Sequence, residues 1–250
     1  MPSPQQPPPP VLLVGMHNSG TSILAEILHR HGLFLGANVR HHENRFFSIH
    51  VDDEMIMGGG DRWARLPILT VDEVLGFKDE VGRYVQAHWL QDFRVWGYDG
   101  VSPWGFKDPR LCVLLPLYLE LFPGARVLHI RRNPDDVAAS LSRRHKKAVG
   151  VIEDPEHWKR LCLAYAERVE FCREHYENDH YEIQYEELCR EPERVTADLF
   201  DFVGLAFTPE ARSFARGNLD PSRPGSAGRG TLGWRFANLR SRFHRIRRGA

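Results

Sequence analysis

Residues Gly15 to Ser22 read GMHNSGTS and join an apolar run, Val11 to Gly15 (VLLVG), to an amphipathic stretch at Ser22 to His31. Two glycines in GxxxxG spacing followed by small hydroxyl residues form the frame of a phosphate-binding loop, with Thr21 standing where the nucleotide-triphosphatase version has lysine. Such a loop aims backbone N–H groups and the positive end of a helix at an anion, and Ser19, Thr21 and Ser22 add hydroxyl donors. The missing lysine, and the lack of a clear strand ending in an aspartate for magnesium, argue against cleavage of ATP or GTP. The plainer alternative is a glycine-bearing turn between a strand and a helix.

A second cluster lies in RRNPDDVAASLSRR, Arg131 to Arg144, at the carboxyl end of another apolar run, ARVLHIRR (Ala125 to Arg132). Ligands of open α/β sheets bind in the crevice at carboxyl ends of strands. Asn133 is a good helix N-cap, Pro134 suits the first helical position, and Asp135 and Asp136 complement the helix dipole. Arg132 on the turn and Ser140 about two helical turns further on can clamp a terminal phosphate. The alternative is a capped helix with a solvated basic face. In WGFKDPRL (Trp104 to Leu111) a strand edge runs into a turn, where Lys107, Asp108 and Arg110 could equally form a surface ion pair.

Taken together, GMHNSGTS and RNPDDVAAS resemble the two donor-binding elements of the PAPS-dependent sulfotransferase family. WGFKDPRL and YEELCREPERVTADLFDFVGL (Tyr185 to Leu205) are similar to segments of its bacterial branch, and the likeness runs in order from about Val11 to Pro209. The resemblance implies a P-loop NTPase-like three-layer α/β/α fold with a central parallel sheet. It implies transfer of a sulfuryl group from 3′-phosphoadenosine 5′-phosphosulfate to a hydroxyl or amine, in line and without a metal, releasing adenosine 3′,5′-bisphosphate. His17, Asn18, Ser19, Gly20, Thr21 and Ser22 would hold the 5′-phosphosulfate, Arg132 and Ser140 the 3′-phosphate, and Lys107 would give electrophilic help. Glu43 is the first choice of base, followed by His42 and His50, with Asp52 and Asp53 behind them; a loose alignment puts Ser48 at that position instead. Arg229, in SRPGSAGRG (Ser222 to Gly230), would be a further donor contact.

One position departs from the family. Where its loop commonly has Arg or Lys this chain has Asn18, so His17 or Lys107 would have to supply the positive charge. A donor-binding pseudoenzyme or interaction protein is therefore the alternative, ahead of a P-loop phosphotransferase.

These motifs need strands that end beside one another and helices that begin there. Strands alternate with expected helices at residues 51–57, 71–90, 111–122, 133–144, 156–177 and 192–203, with a further strand at 181–185, which predicts a parallel α/β sheet. The chain has 250 residues, 42% of them hydrophobic, enough for one well-buried domain. Its divisions are a disordered Pro-rich leader at 1–10, a sulfotransferase domain at 11–220 and a basic Arg-rich tail at 221–250. Lys plus Arg and Asp plus Glu number 33 each; the tail holds eight arginines and no acid, so the zero total leaves −8 on the first 220 residues. No nucleic-acid partner is expected from that balance. Leu232, Phe236, Leu239, Phe243 and Ile246 recur at helical intervals among the tail arginines, a pattern able to lie on an anionic surface. The four cysteines have no metal-ligand spacing and read as reduced, packed thiols. Neither a signal peptide nor an apolar membrane span is expected, and the cytoplasm is the default compartment. The acceptor reads only as a small molecule or carbohydrate, on which Trp63, Trp89, Trp96 or Trp104 could stack.

Overall fold

The computed structural model describes residues 6–36, 38–40, 42–59, 61–145 and 154–219. In chain order its strands are β1 (Val11–Val14), β2 (Asn38–Arg40), β3 (Glu43–Asn44), β4 (Gly105–Lys107), β5 (Arg126–Arg131) and β6 (His180–Gln184). Its α-helices are α1 (Thr21–Arg30), α2 (Val71–Leu75), α3 (Lys78–Val95), α4 (Leu111–Leu121), α5 (Pro134–His145), α6 (Pro155–His175), α7 (Tyr185–Arg190), α8 (Pro192–Val203) and α9 (Pro209–Asn218).

β1 is the centre of the design. Leu12 and Val14 enter one hydrophobic core and Val11 and Leu13 the other, and all four are buried. A strand covered on both faces reads as an unbroken apolar run. β5 divides the same way, with Val127 on the first side and Leu128 and Ile130 on the second. The first core takes in residues of α4, α5 and α6, the second those of α1, α8 and α9. The result is the expected three-layer α/β/α arrangement.

The sheet has the order β4-β1-β5-β6 and every pair in it is parallel. After β1 the chain first builds β4 on one side and then crosses to build β5 and β6 on the other. The carboxyl end of β1 is therefore the topological switch point, the place where an open α/β sheet leaves a crevice between diverging connections. The loop after β1 is flanked there by the turns after β4 and β5.

Several elements differ from expectation. The helix expected at 71–90 is two, α2 and α3, interrupted at Gly76 and Phe77, and the second runs on to Val95. Glycine weakens helix interiors, while Thr70 and Glu73 close a full capping box that fixes the first piece independently. The helix expected at 51–57 begins earlier and is a π-helix, Arg45–Met57, started by Asn44, whose side chain accepts from the Phe47 N–H at 2.7 Å. Its buried residues include Phe46, Val51 and Ile56, and Phe47, Asp52 and Met57. Those are two rows at intervals of five, the interval of i→i+5 bonding and not of 3.6-residue periodicity.

Residues 6–10, assigned above to a disordered leader, pack on the domain instead. Trp104 Nε1 donates to the Pro8 carbonyl at 2.6 Å, the Arg126 N–H to that of Pro10 at 2.9 Å, and Pro10 is buried. A PPII-like segment exposes its carbonyls, and here two donors of the sheet end meet them. All four cysteines are buried. Among the described residues no helix is long and apolar enough to cross a membrane. The tail 221–250, with Arg229, lies outside the described residues.

Candidate active site

The three strand ends enclose an open cleft of about 590 Å³. From the loop after β1 it is lined by His17, Asn18, Gly20, Thr21 and Ser22; from the β4 turn by Lys107, Asp108 and Arg110; from the β5 turn and α5 by Arg132 and Ser140. Glu43, Asp53, Trp63 and Tyr185 line it as well.

The loop's local form follows from its small residues. Gly20 is the N-cap of α1 with φ 108°, and no side chain caps the helix. A Cβ on Gly20 would lie 2.5 Å from the Tyr185 ring, so both the backbone conformation and the space demand glycine. The first N–H groups of a helix have no intrahelical acceptors, and with Gly20, Thr21 and Ser22 lining the cleft those of α1 are presented to it. Ser19 is 1% exposed and does not line the cleft; its Oγ has no hydrogen-bond partner among the described residues.

The turn after β5 is bonded directly to this loop. Arg132 Nη1 donates to the Asn18 carbonyl at 3.1 Å, and Asn18 Nδ2 donates to Ser140 Oγ at 3.2 Å. The Arg132 guanidinium lies 4.7 Å from the centre of the Tyr185 ring, a cation–π distance. Its Nε is buried without a hydrogen-bond partner among the described residues. Asn133 caps α5 as expected, accepting from the Asp135 N–H at 2.9 Å, while its own N–H donates to Glu186 of α7 at 2.9 Å.

Beyond β4, Lys107 Nζ donates to Glu43 Oε1 at 2.8 Å; the lysine side chain is 2% exposed and the glutamate 27%. The short antiparallel pair β2–β3 turns the chain at His42, which has φ 61°, and delivers Glu43 to this contact. Asp108 and Arg110 do form an ion pair at 2.7 Å, but an interior one, not the surface pair considered from sequence. Burial alone would raise the Asp108 carboxyl; the charge and hydrogen bonds of Arg110 hold it below its ordinary value. Arg110 also donates to Asp53 at 2.7 Å and to the Ser48 carbonyl at 2.6 Å. One guanidinium thus ties the π-helix to the end of β4.

The other base candidates stand elsewhere. His42 pairs with Glu26, and His50 with Glu54 at 2.9 Å. Ser48 is fully buried, its Oγ 3.4 Å from the Lys107 carbonyl. Asp52 is buried against the Tyr118 hydroxyl, which donates to it. Asp53 reaches the cleft, held by Arg110. Of the tryptophans, half-buried Trp89 stacks at 4.1 Å on Trp104 of the core, Trp96 is exposed, and Trp63 lines the cleft with its ring 4.0 Å from that of His17. Tyr185 is a cleft residue that no sequence motif marks as one, and Arg110, expected only in an ion pair at the turn, also lines the cleft. The signal for Tyr185 is its position directly after the fourth parallel strand, β6.

The model of the sulfotransferase family matches residues 9–209 of the chain. An uncharacterized protein of Aquifex aeolicus (strain VF5) is 24% identical over 207 residues, covering 78% of this chain and 25% of the relative. The chain thus spans about a quarter of the length of that curated relative. Among solved structures, the sulfotransferase domain of the Synechococcus PCC 7002 olefin synthase superposes with a TM-score of 0.54 at 17% identity, covering 92% of this chain and 91% of that one. A sulfotransferase from Alicyclobacillus acidocaldarius gives 0.53 at 21% identity, covering 82% and 89%. At such identities these likenesses speak for the fold.

Proposed function

The chain belongs to the sulfotransferase family, and from that premise we propose that it transfers a sulfuryl group from 3′-phosphoadenosine 5′-phosphosulfate to an acceptor hydroxyl or amine. The observation that carries this reading is the pair of hydrogen bonds from Arg132 to the Asn18 carbonyl and from Asn18 to Ser140, which join both phosphate-binding motifs in one cleft.

The residues present fit such a donor. The uncapped amides of α1 and the hydroxyls of Thr21 and Ser22 suit an anionic 5′ end. Arg132, which lines the cleft, keeps a buried Nε with no hydrogen-bond partner among the described residues, and buried donors are costly to leave so. Arg132, steadied by Tyr185, and Ser140 suit the 3′-phosphate. When bound, the donor supplies the transferable group: the acceptor oxygen or nitrogen bonds to sulfur as the bond from sulfur to the phosphate oxygen breaks, and the phosphate keeps the electron pair. Lys107 offers a fixed positive charge to the oxygens on which negative charge develops, and Glu43 beside it takes the acceptor's proton. His17 faces the same cleft and is the second candidate for electrophilic help.

Calorimetry with adenosine 3′,5′-bisphosphate tests the reading, with ATP plus magnesium titrated in parallel. Metal-independent binding of the bisphosphate alone is expected. A preference for ATP would overturn the assignment, and bisphosphate binding without turnover on any acceptor would leave a donor-binding protein, the reading that Asn18 motivates.

A further inference from the structure

At the turn between β2 and β3, two neighbouring side chains reach in different directions. Glu43 meets Lys107 of β4 at 2.8 Å, and His42, one residue earlier, donates from Nε2 to Glu26 of α1. His42 takes the left-handed conformation, φ 61°, which histidine adopts more readily than most residues with a Cβ. Its side chain is 13% exposed. The β2–β3 pair is short: it sets Asn38 against Asn44 and Arg40 against Glu43, with a shift of register between them. Two strands of that length do not hold themselves together in water, so the place of Glu43 depends on what fastens the turn.

We propose that Glu26 is a positioning residue for the base of the reaction: through His42 it sets Glu43 against Lys107. The inference rests on the sulfuryl-transfer reading above and adds to it a residue that does not line the cleft. Glu26 belongs to α1, whose first residues do line the cleft, and it stands roughly 7.5 Å along the helix axis from Thr21. The turn is thereby fastened to the same rigid element that presents its first amides to the donor. Arg30, one turn further along α1, bonds the Glu26 carboxylate as well and holds its pKa below the ordinary value, with His42 adding to the effect. Burial pushes the His42 ring below its own ordinary value; Glu26 opposes this, while His29 and Lys107 add to it. Near neutral pH the ring therefore bonds as an uncharged N–H donor, and what it needs at position 26 is an acceptor more than a charge.

The test uses the full chain. Each variant is titrated with adenosine 3′,5′-bisphosphate and treated with an amine-acetylating reagent, and mass spectrometry compares modification at Lys107, 2% exposed, with that at Lys78, 48% exposed and paired with Glu120 instead. Glu26→Ala, in a helix that favours alanine, should raise Lys107 acetylation several-fold relative to Lys78 and lower kcat at least about tenfold, with bisphosphate affinity unchanged. Glu26→Gln, which keeps an acceptor for the ring, should stay close to the parent on every measure. His42→Asn suits the left-handed turn but removes the ring, and should match Glu26→Ala. Unchanged Lys107 acetylation in Glu26→Ala, or equal damage in Glu26→Gln, would overturn the assignment. So would a loss of bisphosphate affinity in Glu26→Ala, which would mean that Glu26 supports α1 itself. Failure of the bisphosphate to bind the parent chain would instead sink the donor reading on which the proposal stands.

Discussion

Asn18 takes a left-handed backbone conformation, φ 64°, which asparagine tolerates far better than most residues with a Cβ. The residue that departs from the family's charged loop position thus suits the turn in which it sits, and its amide holds Ser140. Asn18→Arg should separate these two demands. It is expected to raise turnover by bringing a cation to the leaving phosphate, and to lower stability by about 1 kcal/mol through backbone strain, read as kcat and as a denaturation midpoint. Unchanged turnover would point to Lys107 or His17 as the working cation. Lys107→Met should reduce kcat a hundredfold or more at nearly constant bisphosphate affinity, the signature of an interaction made mainly in the transition state. Arg132→Ala and Ser140→Ala should instead weaken bisphosphate binding with the melting temperature little changed; affinity unaltered in both would remove the proposed 3′-phosphate clamp. At this scale the sequence was readable wherever a residue belonged to a continuous motif. Tyr185 escaped because its partners, Gly20 and Arg132, are distant in the chain, and for the same reason the ion pair expected of Arg110 with Asp108 did not extend to Asp53 and the Ser48 carbonyl.

The elements divide along a similar line. Strands buried on both faces and helices with strong caps were legible, and α8 matches its expected bounds, Pro192 to Val203. α9 was missed because its buried residues are only Ala211 and Ala215, too small to make a hydrophobic stripe. The π-helix hid its period of five behind a search for 3.6, and it brings Asp52 into the core as a result. Burial pushes the Asp52 carboxyl well up, the nearby Asp108 charge adds to this, and Arg110 and the Tyr118 hydrogen bond only partly oppose it. Asp52 therefore keeps its proton in the native state at pH values where the unfolded chain has lost it. The native state then binds more protons, so this group's contribution is intact below the unfolded value near ~3.9 and is lost as pH rises toward the raised native value. Asn at this position keeps the acceptor for Tyr118 and puts a permanent donor where Oδ2 has no partner. Asp52→Asn is expected to gain on the parent by up to about 1.4 kcal/mol per pH unit above pH 4, measured by urea denaturation from pH 4 to 7. A stability difference flat with pH would mean that Asp52 is ionised in the folded protein.

Across the whole molecule, the parallel sheet with its switch at β1 makes the cleft unavoidable once β4 and β5 take opposite sides, so motifs about 90 and 115 residues apart in the chain meet at one strand end. Strand and helix alternation made the parallel sheet legible, whereas the order that sets β4 and β5 on opposite sides of β1 is fixed by long-range pairing that no local pattern encodes. Charge is distributed differently: the eight arginines of 221–250 stand apart from a domain of formal charge −8. Two roles proposed for that segment make opposite demands. If Arg229 closes on the donor's 3′-phosphate, Arg229→Ala should weaken adenosine 3′,5′-bisphosphate roughly tenfold, the worth of one charge-assisted hydrogen bond, and truncation after residue 220 should do no more. If the tail is instead a basic amphipathic helix on an anionic surface, Arg229→Ala should leave bisphosphate affinity unchanged. Truncation should then abolish sedimentation with phosphatidylserine vesicles, binding that would also fall steeply between low and physiological salt because it rests on screened charges. Measuring both affinities on the same two variants assigns the tail to the site or to the surface, and truncation without effect on either would remove both roles.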